Sequence, residues 1–165
     1  PRPILTNYLQ KVGVHTRAIG KIGDILSMQG IDQCVKGDDE TLMTALGDHV
    51  DNAPDHSFTF ANFVEFDSLY GHRRDVSGYA CALEWFDQKI GNVIARLRPD
   101  DVMILTADHG NDPTWIGTDH TRERVPVLIA GAKPKDIGVI GFHDVAATIA
   151  QFFDVPYHGE GKNIL

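Results

Sequence analysis

Cysteine is scarce in this chain. Cys34 and Cys81 stand alone, with no CxxC spacing, so the expected setting is reduced and cytoplasmic, and Cys81 is expected to pack as a small apolar side chain. Long hydrophobic runs are missing as well: no apolar stretch approaches the ~20 residues a membrane span requires, which argues against a membrane protein. Positive charge is in short supply. A net charge of −8 opposes a phosphate backbone and argues against general nucleic-acid binding. No basic-then-apolar segment opens the chain, no Asn-x-Ser/Thr acceptor occurs, and there is no repeat or low-complexity tract. The sequence also lacks a GxSxG elbow, a Walker loop, a GxGxxG turn and an HExxH helix, which removes the commonest signatures for other chemistries. It opens at Pro1 rather than Met, so processing or a boundary within a longer polypeptide is expected.

What remains is an ordinary folding composition, 42% hydrophobic and 23% charged over 165 residues. A domain of that size hides roughly 70% of its unfolded surface, so residues 1–165 read as a single α/β core domain. Short β-rich runs alternate with helical ones, the sign of a largely parallel sheet with crossover helices. The expected strands are His15 to Ile19, Phe58 to Phe66, Val102 to Thr106 and Val125 to Ala130. Tyr79, Leu83, Phe86, Ile90, Val93 and Leu97 recur at helical spacing, with Ser77 as the expected cap and Pro99 beyond the end. Further helices are expected at Ile4 to Lys11, Glu40 to Val50 and Asp144 to Phe153, the last with His143 placed to cap it.

Two polar stretches, Gly71 to Ser77 and Gly110 to Thr121, interrupt this pattern just past expected strands. The crevice beyond the carboxyl ends of strands is where ligands bind in open α/β sheets. Arg73, Arg74, Arg122 and Arg124 fall in or beside them, and read either as a grip on a small anion or as solvated surface arginines.

Chemistry concentrates in three clusters: Asp67 to His72 in FDSLYGH, Asp108 with His109 in TADHGN, and His120 in GTDHTRE. Carboxylate oxygen with imidazole nitrogen, and no thiolate, suits Mn(II) or Zn(II) better than Mg(II). Asp112 and Asp119 are placed to hold a ligating imidazole by its second nitrogen. Two divalent ions within ~4 Å can grip a phosphoryl group from both its attacking and leaving sides, so phosphate chemistry is expected.

The strings GKIGDI, VEFDSLYGHRRD, ILTADHGNDP and GTDHTRERVP resemble phosphopentomutases, of the alkaline-phosphatase superfamily. The resemblance thins beyond about Lys133, and the full string GTDHTRE favours the pentomutases over their relatives, the cofactor-independent phosphoglycerate mutases. It implies an alkaline-phosphatase-like core without its N-terminal strands and cap domain. It implies that Asp67, His72 and His120 ligate one manganese ion, that Asp108 and His109 serve a second, and that Lys21 helps hold a substrate phosphate. Lys21 also reads as an exposed lysine in a glycine turn.

The implied reaction interconverts the 1- and 5-phosphates of ribose or deoxyribose, a pentose phosphate substrate. The family's nucleophilic threonine and one further metal aspartate are expected upstream of Pro1, so this chain alone is expected to transfer phosphate poorly. Two other readings stand beside this one: a metal-dependent phosphatase or phosphoglycerate mutase of the same superfamily, and a non-catalytic metal-binding remnant.

Overall fold

The structure is a computed structural model and describes residues 3–165. These divide into two compact units, one formed by residues 3–36, 52–62 and 133–165 and the other by residues 37–51 and 63–132.

The first unit is built on a parallel sheet in the order β2-β1-β3, with β1 (His15–Ile19) flanked by β2 (Gln33–Val35) and β3 (Ser57–Ala61). β1 is central because both its neighbours reach it through crossovers, and its Thr16, Ala18 and Ile19 are buried. Helix α1 (Leu5–Lys11) starts where the Ile4 N–H donates to the Asn7 carboxamide oxygen, 3.0 Å, and it buries Leu9 completely. Leu9 packs with Val14, Ala150 and Val155, and a second cluster joins Ala18, Ile22 and Ile31. Each leucine, isoleucine or valine among them contributes about 1.5–3 kcal/mol on burial, the alanines less.

Two carboxylates, the exposed Asp32 and the buried Asp144, tie backbone in this unit. Asp32 accepts from the Thr16 N–H at 2.8 Å, and Asp144 accepts from the N–H groups of Gly141 and Lys162, 2.9 Å each. Helix α5 (Phe142–Phe152) therefore starts under Asp144 rather than under His143, whose imidazole lies 3.6 Å from that carboxylate and is itself exposed. Only a short carboxylate three residues into the helix reaches back to the open N–H at Gly141. The one-turn helix α2 (Ile22–Ile25) follows β1 through Gly20, whose φ of +80° is the left-handed conformation that glycine adopts without strain.

The second unit holds α3 (Asp39–Asn52, all but its last residue), α4 (Val76–Ile94) and an antiparallel pair, β4 (Met103–Thr106) and β5 (Val127–Ala130). The expectation of a strand running to Phe66 fails here. The chain leaves β3 after Ala61, and Val64 is instead held by its N–H donating to the Asp39 carboxylate at 3.2 Å. Residues Phe66–Gly71 then form a π-turn, closed by the His72 N–H donating across five residues to the Asp67 carbonyl, 2.9 Å. Phe63, Phe66, Tyr79 and Phe86 explain it: their rings meet edge to face at centroid distances of 5.2 to 5.8 Å, packing the turn onto α4 instead of extending a sheet.

Helix α4 is capped by Asp75 and not by Ser77. Its carboxylate accepts from the Gly78 N–H at 2.9 Å, and the Ser77 hydroxyl donates to the same oxygen. Ile90 and Val93 are buried on the expected face, but Leu83 is half exposed, and so is Cys81 exposed rather than packed. The helix ends at Ile94, short of the Leu97 expected. Among the described residues no helix is long and apolar enough to cross a membrane.

Candidate metal centre

Every residue of the centre lies in the second unit, and local geometry explains how each is presented. The π-turn widens the helical spiral by one residue per turn, so that Asp67 and His72, five apart, close on each other: Asp67 Oδ2 lies 3.2 Å from His72 Nε2. β4 and β5 run antiparallel with Thr106 opposite Val127, so the segment between them begins and ends at one end of the pair. A bridge between Gly110 and Thr121, with the Thr121 N–H donating to the Gly110 carbonyl at 3.1 Å, extends that pairing into the loop. His109 and His120 flank that bridge on facing backbones, diagonal to each other, and their rings stack at 3.6 Å and 16°.

The four groups meet. His120 Nε2 lies 3.3 Å from Asp67 Oδ1 and 3.2 Å from His72 Nε2, and ligand atoms of Asp67, His109 and His120 all lie within 4.8 Å of one another. Asp108 stands at the edge, its side chain 74% exposed and its carboxylate 3.7 Å from His109 Nε2. Lys21 is exposed and belongs to the other unit, at the end of β1.

Imidazole nitrogens and carboxylate oxygens at 3.2 to 3.3 Å present lone pairs to one another and need a proton or a cation between them. Nitrogen and oxygen donors in this number, with no sulfur, are the donor set of a Mn(II) or Zn(II) site. The residues present therefore fit a divalent metal.

Two expectations about the surroundings are corrected. The Asp112 carboxylate does not hold an imidazole; it accepts from the N–H and hydroxyl of Thr114, at 2.8 and 2.7 Å, and the Thr114 groups followed by the Arg74 charge keep its pKa low. The contact made by the second ring nitrogen of His72 goes to the Thr118 carbonyl, which orients the ring with Nε2 toward Asp67. From Asp119 it is the carbonyl that is engaged, by Arg74 at 2.6 Å. Arg74 is hydrogen-bonded to backbone throughout this region rather than presented to an anion.

Sequence reasoning passed over Asn111. Its side-chain amide donates to Asp67 Oδ1 at 2.6 Å, and Gly71 is glycine because a Cβ there would collide with that carboxamide. Its place inside the ADHGN string was the available signal. Tyr79 also faces the site: burial, then the charges of Asp67 and Glu123, push its phenol upward and keep it protonated.

With this geometry in hand, comparison with known proteins is informative. A family model described as Metalloenzyme superfamily matches residues 8–157. The chain is similar to the phosphopentomutase of Rhizobium johnstonii, 48% identical over 169 residues covering 100% of this chain and 42% of that protein. It is 46% identical over 171 residues to that of Yersinia enterocolitica, covering 100% and 42%, and 44% identical over 173 residues to that of Chromohalobacter salexigens, covering 100% and 41%. The chain thus spans about 42% of the length of the curated relatives it matches.

Proposed function

The chain belongs to the Metalloenzyme superfamily, and from that premise we propose that it is the metal-binding part of a phosphopentomutase, acting on the 1- and 5-phosphates of ribose or deoxyribose in the cytoplasm. The observation that carries the reading is the meeting of Asp67, His72, His109 and His120 from two separate segments at the end of the β4–β5 pair. In this reading Asp67, His72 and His120 hold one manganese ion, and Asp108 with His109 holds the second. Bound ions of this kind neutralise charge on a phosphoryl group in transfer.

The chain's own groups do the rest. Asn111 fixes the Asp67 carboxylate through its amide, and the Thr118 carbonyl fixes the tautomer of His72 with Nε2 free to ligate. Lys21 supplies an ammonium for the phosphate of the sugar, a point charge suited to that group. The names of the relatives support the pentose phosphate over a phosphoglycerate, as does the GTDHTRE string at His120.

Equilibrium dialysis against Mn(II), followed by elemental analysis, tests the centre. The chain should retain manganese, and His120→Ala should retain less while keeping its far-UV circular dichroism. Equal metal content in variant and parent would remove His120 from the ligand set. Binding of ribose 5-phosphate and of 3-phosphoglycerate to the manganese-loaded chain, by calorimetry, tests the substrate class. A preference for the phosphoglycerate would transfer the reading to the mutases of that substrate.

A further inference from the structure

One side chain holds the whole surround of the centre together. Arg74 lies two residues beyond His72, and its guanidinium donates to three separate stretches of backbone. Nε reaches the Gly117 carbonyl at 2.5 Å, Nη2 the Asp119 carbonyl at 2.6 Å, and Nη1 is shared among the carbonyls of Gly71 and Asp112, 3.0 Å each, and the Asn111 carboxamide oxygen at 2.5 Å. Asn111 in turn donates through its other amide atom to Asp67 Oδ1. The guanidinium thus fixes which way the Asn111 amide faces: its oxygen is engaged by Arg74, so its NH2 must point at the carboxylate.

The acceptors explain why arginine is needed. They span Gly71 in the π-turn and residues 111–119 in the loop, the two segments that carry His72 and His120. A planar fork with five N–H donors can address carbonyls in several directions at once, and an ammonium on a flexible stem cannot. The backbone records the demand as well. Arg74 has φ of +55°, a left-handed conformation that a non-glycine residue rarely adopts and that persists where surrounding contacts impose it.

We propose that Arg74 is the positioning residue of the metal centre, setting Asp67, His72 and His120 at ligating distance before any ion arrives. This rests on the metal-binding reading above. Electrostatics alone predicts the reverse of what the proposal predicts, which makes the test sharp. A guanidinium beside a cation site repels the ion, so removing its charge should tighten metal binding if charge were all that mattered. If Arg74 positions the ligands, its removal should weaken binding. Losses of this outer kind run about 10- to 100-fold in metal affinity.

The test is Mn(II) titration of the full chain, with free ion read from its electron paramagnetic resonance signal. Arg74→Gly removes the fork while suiting the left-handed backbone, so folding is not put at risk by strain. Arg74→Lys keeps the charge and loses the fork. Arg73→Ala, at the exposed neighbour, removes the same charge nearby. Both Arg74 variants should bind manganese about 10- to 100-fold more weakly than the parent, with Arg73→Ala unchanged and circular dichroism the same in all. Arg74→Gly binding as tightly as the parent, or more tightly, overturns the proposal, and so does full affinity in Arg74→Lys. A parent chain that binds no Mn(II) at all instead overturns the metal reading on which the proposal rests.

Discussion

The two units draw their order from different sources. The first centres on a parallel strand whose Thr16, Ala18 and Ile19 are buried, and closes Leu9, Val14, Ala150 and Val155 into an aliphatic cluster. In the second, neither β4 nor β5 has a fully buried residue, and the buried hydrophobic side chains are Leu42, Met43, Leu46, Ile90 and Val93 on its helices. Around its strand pair, polar bonds through Arg74, Asn111, Thr121 and Asp112 do what aliphatic packing does elsewhere. A close-packed core has few alternative arrangements. A site held by hydrogen bonds and by a ring stack takes its geometry from a few directional contacts instead.

The largest expected effect tests that contrast at its simplest. Leu9→Ala, at a side chain with no exposed surface, should lower stability by about 2–5 kcal/mol, since the cavity adds to the lost burial. Leu128→Ala in β5, 61% exposed, should change it by less than about 0.5 kcal/mol. Urea midpoints by circular dichroism measure both. Similar losses at the two leucines would mean that β5 is packed in a way its exposure does not reveal, and the contrast would fall.

Much of this was legible in the sequence, and the exceptions share a cause. β1 runs over the expected His15–Ile19, and the α/β class with its parallel sheet follows from the alternation of runs. The strings that carry the candidate ligands were visible because Asp and His at fixed spacings are uncommon. What escaped was set by partners distant in sequence. Phe63 and Phe66 look like strand residues, and only the rings of Tyr79 and Phe86 make them the anchor of a π-turn. β4 and β5 read as members of one parallel sheet because a 20-residue polar connection gives no hint of antiparallel pairing; the Gly110–Thr121 bridge supplies it. Arg74 read either as part of an anion grip or as a solvated surface arginine, since bonds from a side chain to carbonyls leave no pattern in the residues that own the carbonyls.

The carboxylates sharpen the contrast by the sign of their pH dependence. Asp32 is held low by the Thr16 N–H and then by the Gln10 carboxamide, and Asp144 by the N–H groups of Gly141 and Lys162 and then by the His143 and Lys162 charges. Their contributions are present above the unfolded value of 3.8 and are lost as pH falls below it. Asp39 in the second unit runs the other way. Burial, and next the charge of Glu65, push it from 3.8 up to about 6. Between those values the folded chain binds this proton more tightly than the unfolded chain, so stability from this group falls as pH rises through the window. Trp85 and Trp115 are the chain's two tryptophans and both lie in the second unit, so urea unfolding followed by their fluorescence reads it selectively. Relative to the parent, Asp39→Asn should gain stability between about pH 4 and pH 6.5. An unchanged difference across that range would show that Asp39 ionises without penalty.

The smallest effect asks whether the helix and the centre in the second unit are separable. Asp75 adjoins Arg74, its N–H closes the turn onto the Tyr70 carbonyl at 3.0 Å, and its carboxylate caps α4 through Gly78. The Gly78 N–H, followed by the Ser77 hydroxyl, lowers its pKa, so the cap is present at neutral pH. Asp75→Ala removes the carboxylate but leaves the backbone bond, and should cost about 1 kcal/mol in tryptophan-monitored stability, the usual value of an N-cap. Manganese affinity should stay at the parent value, because the bonds that orient Asp67 and His72 run through Asn111 and Thr118 and not through the cap. A matching loss of affinity would mean that the start of α4 and the π-turn move as one body, and the polar surround of the centre would then owe its order to the helix rather than to Arg74.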